Sequence, residues 1–81
     1  MMYEEIIDKI NTALVENFEV DPVSITPDAS MKETLNLDSL DYVDLVVLLE
    51  QHFGLMVKGS DFAEIHTFED FYQYIFKHTN L

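Results

Sequence analysis

Ser39 stands between Asp38 and Leu40, with Asp41 and Asp44 following closely. A serine hydroxyl becomes a nucleophile when a base is held within hydrogen-bond reach, and the sequence neighbours here offer only carboxylates. No catalytic residue is therefore expected. The same hydroxyl can instead serve as a point of attachment. Asp38 is suited to cap a helix, with Ser39 at its first position and Asp41 three residues after the cap, a capping box with Asp in place of Glu. A helix start carries unpaired N–H groups and the positive end of the helix dipole, which suit a phosphate, and it lets Ser39 face solvent. As a plain helix start, Ser39 needs no modification at all.

Other chemistry finds less support. The chain has no cysteine, which excludes disulfides and thiolate metal sites; sulfur chemistry would need an imported thiol. His52, His66 and His78 lack close metal-ligand spacing, and no stretch reads as a calcium loop with alternating ligands, a central glycine and a terminal Glu. No metal site is expected, and no glycine-rich phosphate loop is present.

The elements that must position Ser39 are helical. Tyr3, Ile6, Ile7, Ile10, Leu14 and Phe18 recur at three- and four-residue steps, predicting a first helix that Asp21-Pro22 ends. Residues 22–37 combine turn-forming residues with isolated Val23, Ile25, Met31, Leu35 and Leu37, predicting a long loop pinned to the core by those five side chains. A second helix is expected from Ser39 to Phe53, with Leu45, Val46, Leu49 and Phe53 on its core face, Tyr42 at the start of that face, and Gly54 as its stop. A short turn or helix spans Ser60 to Ile65. Thr67 then caps a last helix that buries Phe68, Phe71, Tyr72 and Ile75, leaves Tyr74 and Phe76 partly exposed, and ends near Lys77 and His78. With no alternating strand pattern, the fold class is all-α: a small four-helix bundle of three longer helices plus a short third one, in a single domain covering residues 1–81.

The segment from Leu35-Asn36-Leu37-Asp38-Ser39-Leu40-Asp41-Tyr42 through Leu49-Glu50-Gln51-His52-Phe53-Gly54 resembles the attachment-site segment of the acyl carrier protein family. The resemblance extends from the first helix to Phe76. It implies that a phosphopantetheinyl transferase moves 4'-phosphopantetheine from coenzyme A onto Ser39 as a phosphodiester, beside the helix cap Asp38. Acyl groups would then ride as thioesters on the distal thiol, in fatty acid or related polyketide-like or modified lipid synthesis. It also implies a discrete, monomeric, non-catalytic carrier that visits acyl-transferring and chain-elongating enzymes through basic docking patches. Leu40, Val43 and Val47 beside Asp41, Asp44 and Glu50 supply an apolar line ringed by carboxylates for that docking. Leu45, Val46, Leu49, Phe62, Ile65, Phe71 and Ile75 are the expected acyl pocket.

Four positions depart from the pattern. Asn36 stands where the primary fatty acid carriers commonly have Gly, Tyr42 is bulkier than the usual small residue, and Lys58 and Phe62 are foreign to the family's acidic third-helix region. They leave open a secondary pathway. A peptidyl or aminoacyl carrier and an unmodified acidic interaction module remain the alternative classes; the paired glycines usual before the serine of the former are missing.

Sixteen acidic residues face four lysines and no arginine, for a formal charge of -12. Such a surface repels nucleic acid and anionic membranes and invites basic proteins. Yet 48% of residues are apolar and ten are aromatic, too many for an acidic disordered tail. The longest apolar run, Leu45 to Leu49, is far too short for a membrane span, and the N-terminus does not read as a signal peptide, so a cytoplasmic location is expected. Self-repulsion should make the fold sensitive to salt. The melting temperature, followed by circular dichroism, should rise on adding modest salt or a divalent cation; an unchanged value would show that repulsion is unimportant.

Overall fold

A computed structural model describes residues 2–79. Helix α1, Tyr3–Phe18, buries Ile6, Ile10, Ala13 and Leu14, with Tyr3, Ile7 and Phe18 packed half-exposed against the core. It ends before the expected Asp21-Pro22 stop. Glu19 adopts a left-handed backbone (φ 55°), and its N–H bonds to the Val15 carbonyl at 3.1 Å. A non-glycine residue in that conformation costs about 1–2 kcal/mol. Asp21 instead starts a 3-10 turn, Pro22–Ser24, its carboxylate accepting the Val23 N–H at 3.0 Å.

Four of the five expected loop anchors, Ile25, Met31, Leu35 and Leu37, are buried. Val23 is not. It is 83% exposed, because the 3-10 turn directs it away from the bundle. The expected continuous loop also contains a short helix, α2, Met31–Leu35. Its two buried side chains are four apart, so a single helical turn sets both on one face. Ser30 caps it by accepting the Glu33 N–H at 3.3 Å, and Asn36 closes it in a left-handed conformation (φ 54°).

The loop is stitched to the entrance of the last helix. Glu69 N–H donates to the Pro27 carbonyl at 2.9 Å, Phe68 N–H to Ala29 at 3.2 Å and Met31 N–H to His66 at 2.9 Å. These bonds satisfy backbone groups that a buried loop would otherwise strand.

Helix α3 spans Ser39–Phe53, as expected, and Gly54 terminates it at φ 67°. Leu45 and Leu49 are buried, Tyr42, Val46 and Phe53 are half-buried, and Leu48, absent from the expected core face, is buried too. Lys9 of α1 lies 5.3 Å from the centroid of the Phe53 ring, within range of a cation–π contact. The short third helix is a 3-10 helix, Gly59–Glu64. Helix α4, Phe68–Thr79, buries Phe68, Phe71, Tyr72 and Ile75, leaves Tyr74 half-buried and Phe76 exposed, and carries Lys77 and His78 in its last turn. The Tyr72 hydroxyl donates to the Asn11 side-chain oxygen at 2.7 Å, fastening α4 to α1. The result is an all-α bundle around one apolar cluster. No helix among the described residues is long and apolar enough to cross a membrane.

Thr67 does cap α4. Its hydroxyl accepts the Asp70 N–H at 3.1 Å, while the Asp70 carboxylate accepts the N–H groups of Thr67 (3.2 Å) and His66 (3.1 Å). Those backbone bonds, Thr67 foremost, hold the Asp70 carboxyl below its ordinary value. A depressed carboxyl stabilises the fold above its unfolded value and loses that contribution as pH falls through the folded one. Asp70→Ala should therefore be less stable than wild type near neutrality, and the gap should narrow on acidification below about pH 4. Thr67→Ala should cost about 1 kcal/mol; urea titrations across pH check both.

Candidate functional site

The first turn of α3 fixes the surroundings of Ser39. Asp38 Oδ1 accepts the N–H groups of Leu40 (2.9 Å) and Asp41 (3.1 Å), and Asp41 Oδ2 accepts the Asp38 N–H at 3.0 Å. The capping box is reciprocal. It also corrects the expectation of bare donors at this helix start, since two of them already bond to Asp38.

Ser39 itself is exposed, and among the described residues its hydroxyl makes no hydrogen bond. It is nonetheless held in place. On one side Leu37 is buried and its N–H bonds to the Lys32 carbonyl at 3.0 Å; on the other, half-buried Tyr42 bonds through its N–H to the Asp38 carbonyl at 3.3 Å. The left-handed Asn36 supplies the bend between α2 and α3, which explains how Asn can stand where glycine is common: it tolerates this backbone better than most residues. A hydroxyl that is reachable, makes no hydrogen bond among the described residues and is carried on a backbone held on both sides is suited to modification by another protein.

Along the exposed side of α3, Leu40, Val43 and Val47 are 75%, 59% and 43% exposed. They recur at steps of three and four, so they form one line on the helix. Asp44 and Glu50 are exposed, and Asp41 is half-exposed. The structure thus brings the six suggested docking residues onto an apolar strip with carboxylates beside it.

The seven suggested pocket residues are divided. Leu45, Leu49, Phe71 and Ile75 have no exposure and belong to the packed core; Val46 is half-buried. Phe62 and Ile65 are buried but reach the wall of a shallow hollow of about 320 Å³, which also touches Ser30, Tyr42, Ala63 and His66. That hollow does not extend to the other five. What sequence reading missed is that Tyr42 and Phe62, singled out separately as unusual, pack together with ring centroids 5.4 Å apart. Periodicity within one helix cannot reveal a partner on another element.

A model of the phosphopantetheine attachment site family matches residues 8–75, a span that contains this whole arrangement. The chain belongs to the acyl carrier protein family. It is 39% identical over 70 residues to acyl carrier protein 2 of Ralstonia nicotianae, covering 86% of each chain. It is 35% identical over 75 residues to an acyl carrier protein of Thermosynechococcus vestitus, covering 93% of each. With an acyl carrier protein of Lactobacillus acidophilus the identity is 37% over 78 residues, covering 96% of this chain and 98% of that one. Membership implies a phosphopantetheine prosthetic group and a carrier role. An exposed serine at the start of α3, whose hydroxyl makes no hydrogen bond among the described residues, fits such a group.

Asp38→Ala should free two N–H groups at the start of α3 and lower stability by about 1 kcal/mol. Hydrogen exchange should rise at the amides of Leu40 and Asp41; unchanged protection there would contradict the capping geometry.

Proposed function

We propose that Ser39 carries a 4'-phosphopantetheine arm and that the chain delivers acyl thioesters on it to the enzymes of fatty acid or related lipid and polyketide-like synthesis. The exposed, unbonded hydroxyl of Ser39 is the observation that supports this most directly. Loading occurs on a phosphopantetheinyl transferase. Ser39 Oγ attacks the phosphorus that bears the pantetheine arm of coenzyme A, the bond from that phosphorus to the adenosine-side phosphate oxygen breaks, and the hydroxyl proton passes to a base of the transferase. The carrier supplies no base of its own for this step.

Asp38 and Asp41 hold the first turn while the hydroxyl is presented. Carboxylates at Asp41, Asp44 and Glu50 steer basic patches of the transferase and of acyl-transferring and elongating enzymes, and Leu40, Val43 and Val47 supply the apolar contact. Such encounters need fast arrival and fast release, which favours charge steering around a small apolar centre. The interior around Leu45, Val46, Leu49, Phe62, Ile65, Phe71 and Ile75 is where an acyl chain gains shelter from water. The protein works as one domain, as a monomer in the cytoplasm, and as the substrate of its partners rather than as an enzyme.

Incubation with coenzyme A, magnesium and a phosphopantetheinyl transferase should add one phosphopantetheinyl group by intact mass. Ser39→Ala should abolish the gain completely. A wild-type chain that gains nothing from a transferase active on a control carrier would leave an unmodified acidic interaction module.

A further inference from the structure

We propose that Tyr42 and Phe62 form an aromatic gate between Ser39 and the apolar interior, and that this gate sets the shortest acyl chain the carrier shelters. The gate has this function only if Ser39 holds the arm, as proposed above. Tyr42 follows Ser39 by three positions on α3, which places the two side by side one turn apart. Helical side chains lean towards the N-terminus, so Tyr42 reaches back along the turn that Ser39 opens. Opposite it, Phe62 projects from the 3-10 helix and is only 6% exposed.

Their ring centroids are 5.4 Å apart with planes at 50°, within the range where aromatic pairs attract. Phe62 continues the contact inward to fully buried Phe71, at 6.2 Å. A file of three rings therefore runs from the half-exposed surface near Ser39 into the core. Outside it, a shallow hollow of about 260 Å³ is lined by Tyr42, Gly59, Phe62 and Ala63. Leu45, Leu49 and Ile75 belong to the same apolar cluster as Phe62 and Phe71 and have no exposure.

An acyl chain on Ser39 that enters between α3 and the 3-10 helix must part these rings. Among the described residues no hydrogen bond joins the two elements, so the ring contact is what must give way. The 3-10 helix is itself tied to α4, because the Tyr74 hydroxyl donates to Asp61 Oδ2 at 3.2 Å. Tyr42, the more exposed ring, is therefore the leaf that swings. Opening loses the ring contact and uncovers Phe62, whereas each methylene that enters regains apolar burial. Entry thus becomes favourable only above a threshold length. Shorter acyl groups stay in the outer hollow with their thioester open to water.

The test uses the pantetheinylated chain, with the arm located on Ser39 by peptide mass, loaded with a series of straight-chain acyl groups. Thioester hydrolysis is then measured against chain length. Wild type should show protection beginning at a definite length. Tyr42→Thr should move that onset to shorter chains, slowing hydrolysis roughly two- to tenfold for chains just below the wild-type threshold, which corresponds to one aromatic contact. Tyr42→Phe should retain the wild-type onset. Phe62→Leu, which keeps apolar bulk without a ring, should shift the onset as Tyr42→Thr does and serves if that variant fails to fold. An onset that is the same in wild type and the ring-removing variants, or full protection of the shortest chains by wild type, would overturn the gate alone. A chain with no arm on Ser39 would overturn the attachment, and the gate with it.

Discussion

Three backbone hydrogen bonds between residues 27–31 and 66–69 hold the long connection against the entrance of α4. Residues in such a stretch would otherwise pay a large conformational entropy to stay ordered. Because Ala29 and Met31 are fixed in this way, α2 has a defined start, Asn36 bends the chain at a defined place, and α3 begins where Leu37 is anchored. The position of Ser39 is thus inherited from contacts made by the far end of the sequence. The Asp38 and Asp41 box then sharpens the last step locally, without help from the core.

Helix α3 serves two masters. Its inner side contributes Leu45, Leu48 and Leu49 to the cluster shared with α1 and α4, and its outer side keeps Leu40, Val43 and Val47 in water. Apolar residues on both sides would invite self-association in an uncharged helix. Here a formal charge of -12 on 81 residues sets copies against one another by repulsion. The same charge that opposes compaction therefore offsets the cost of leaving an apolar strip exposed.

The long helices were legible because burial imposes a three- to four-residue period on the sequence; α3 begins and ends where Asp38 and Gly54 say it should. Less was legible where the decisive contacts join distant residues. The end of α1 at Glu19 defies propensity, since a glutamate gives no hint of a left-handed backbone. Val23 looks like an anchor in sequence, but the 3-10 turn rotates it outward. Helix α2 is too short to show periodicity, and its cap, Ser30, resembles any loop serine. The exposed line of Leu40, Val43 and Val47 and the exposed hydroxyl of Ser39 could be anticipated because helix geometry alone arranges them. The meeting of Tyr42 with Phe62 could not, because nothing within either segment fixes the distance between them.

The bond from the Tyr72 hydroxyl to Asn11 joins residues 61 apart in sequence and ties the first helix to the last. Around it, Tyr3 meets Tyr72 and Phe76 edge-on, at 6.4 Å and 5.6 Å between centroids. Between α3 and the 3-10 helix, the described residues show the Tyr42–Phe62 ring contact but no hydrogen bond. The bundle is therefore built like a bound book, with its spine where α1 and α4 are sewn together. Separating α1 from α4 would have to break that hydrogen bond and both ring contacts together.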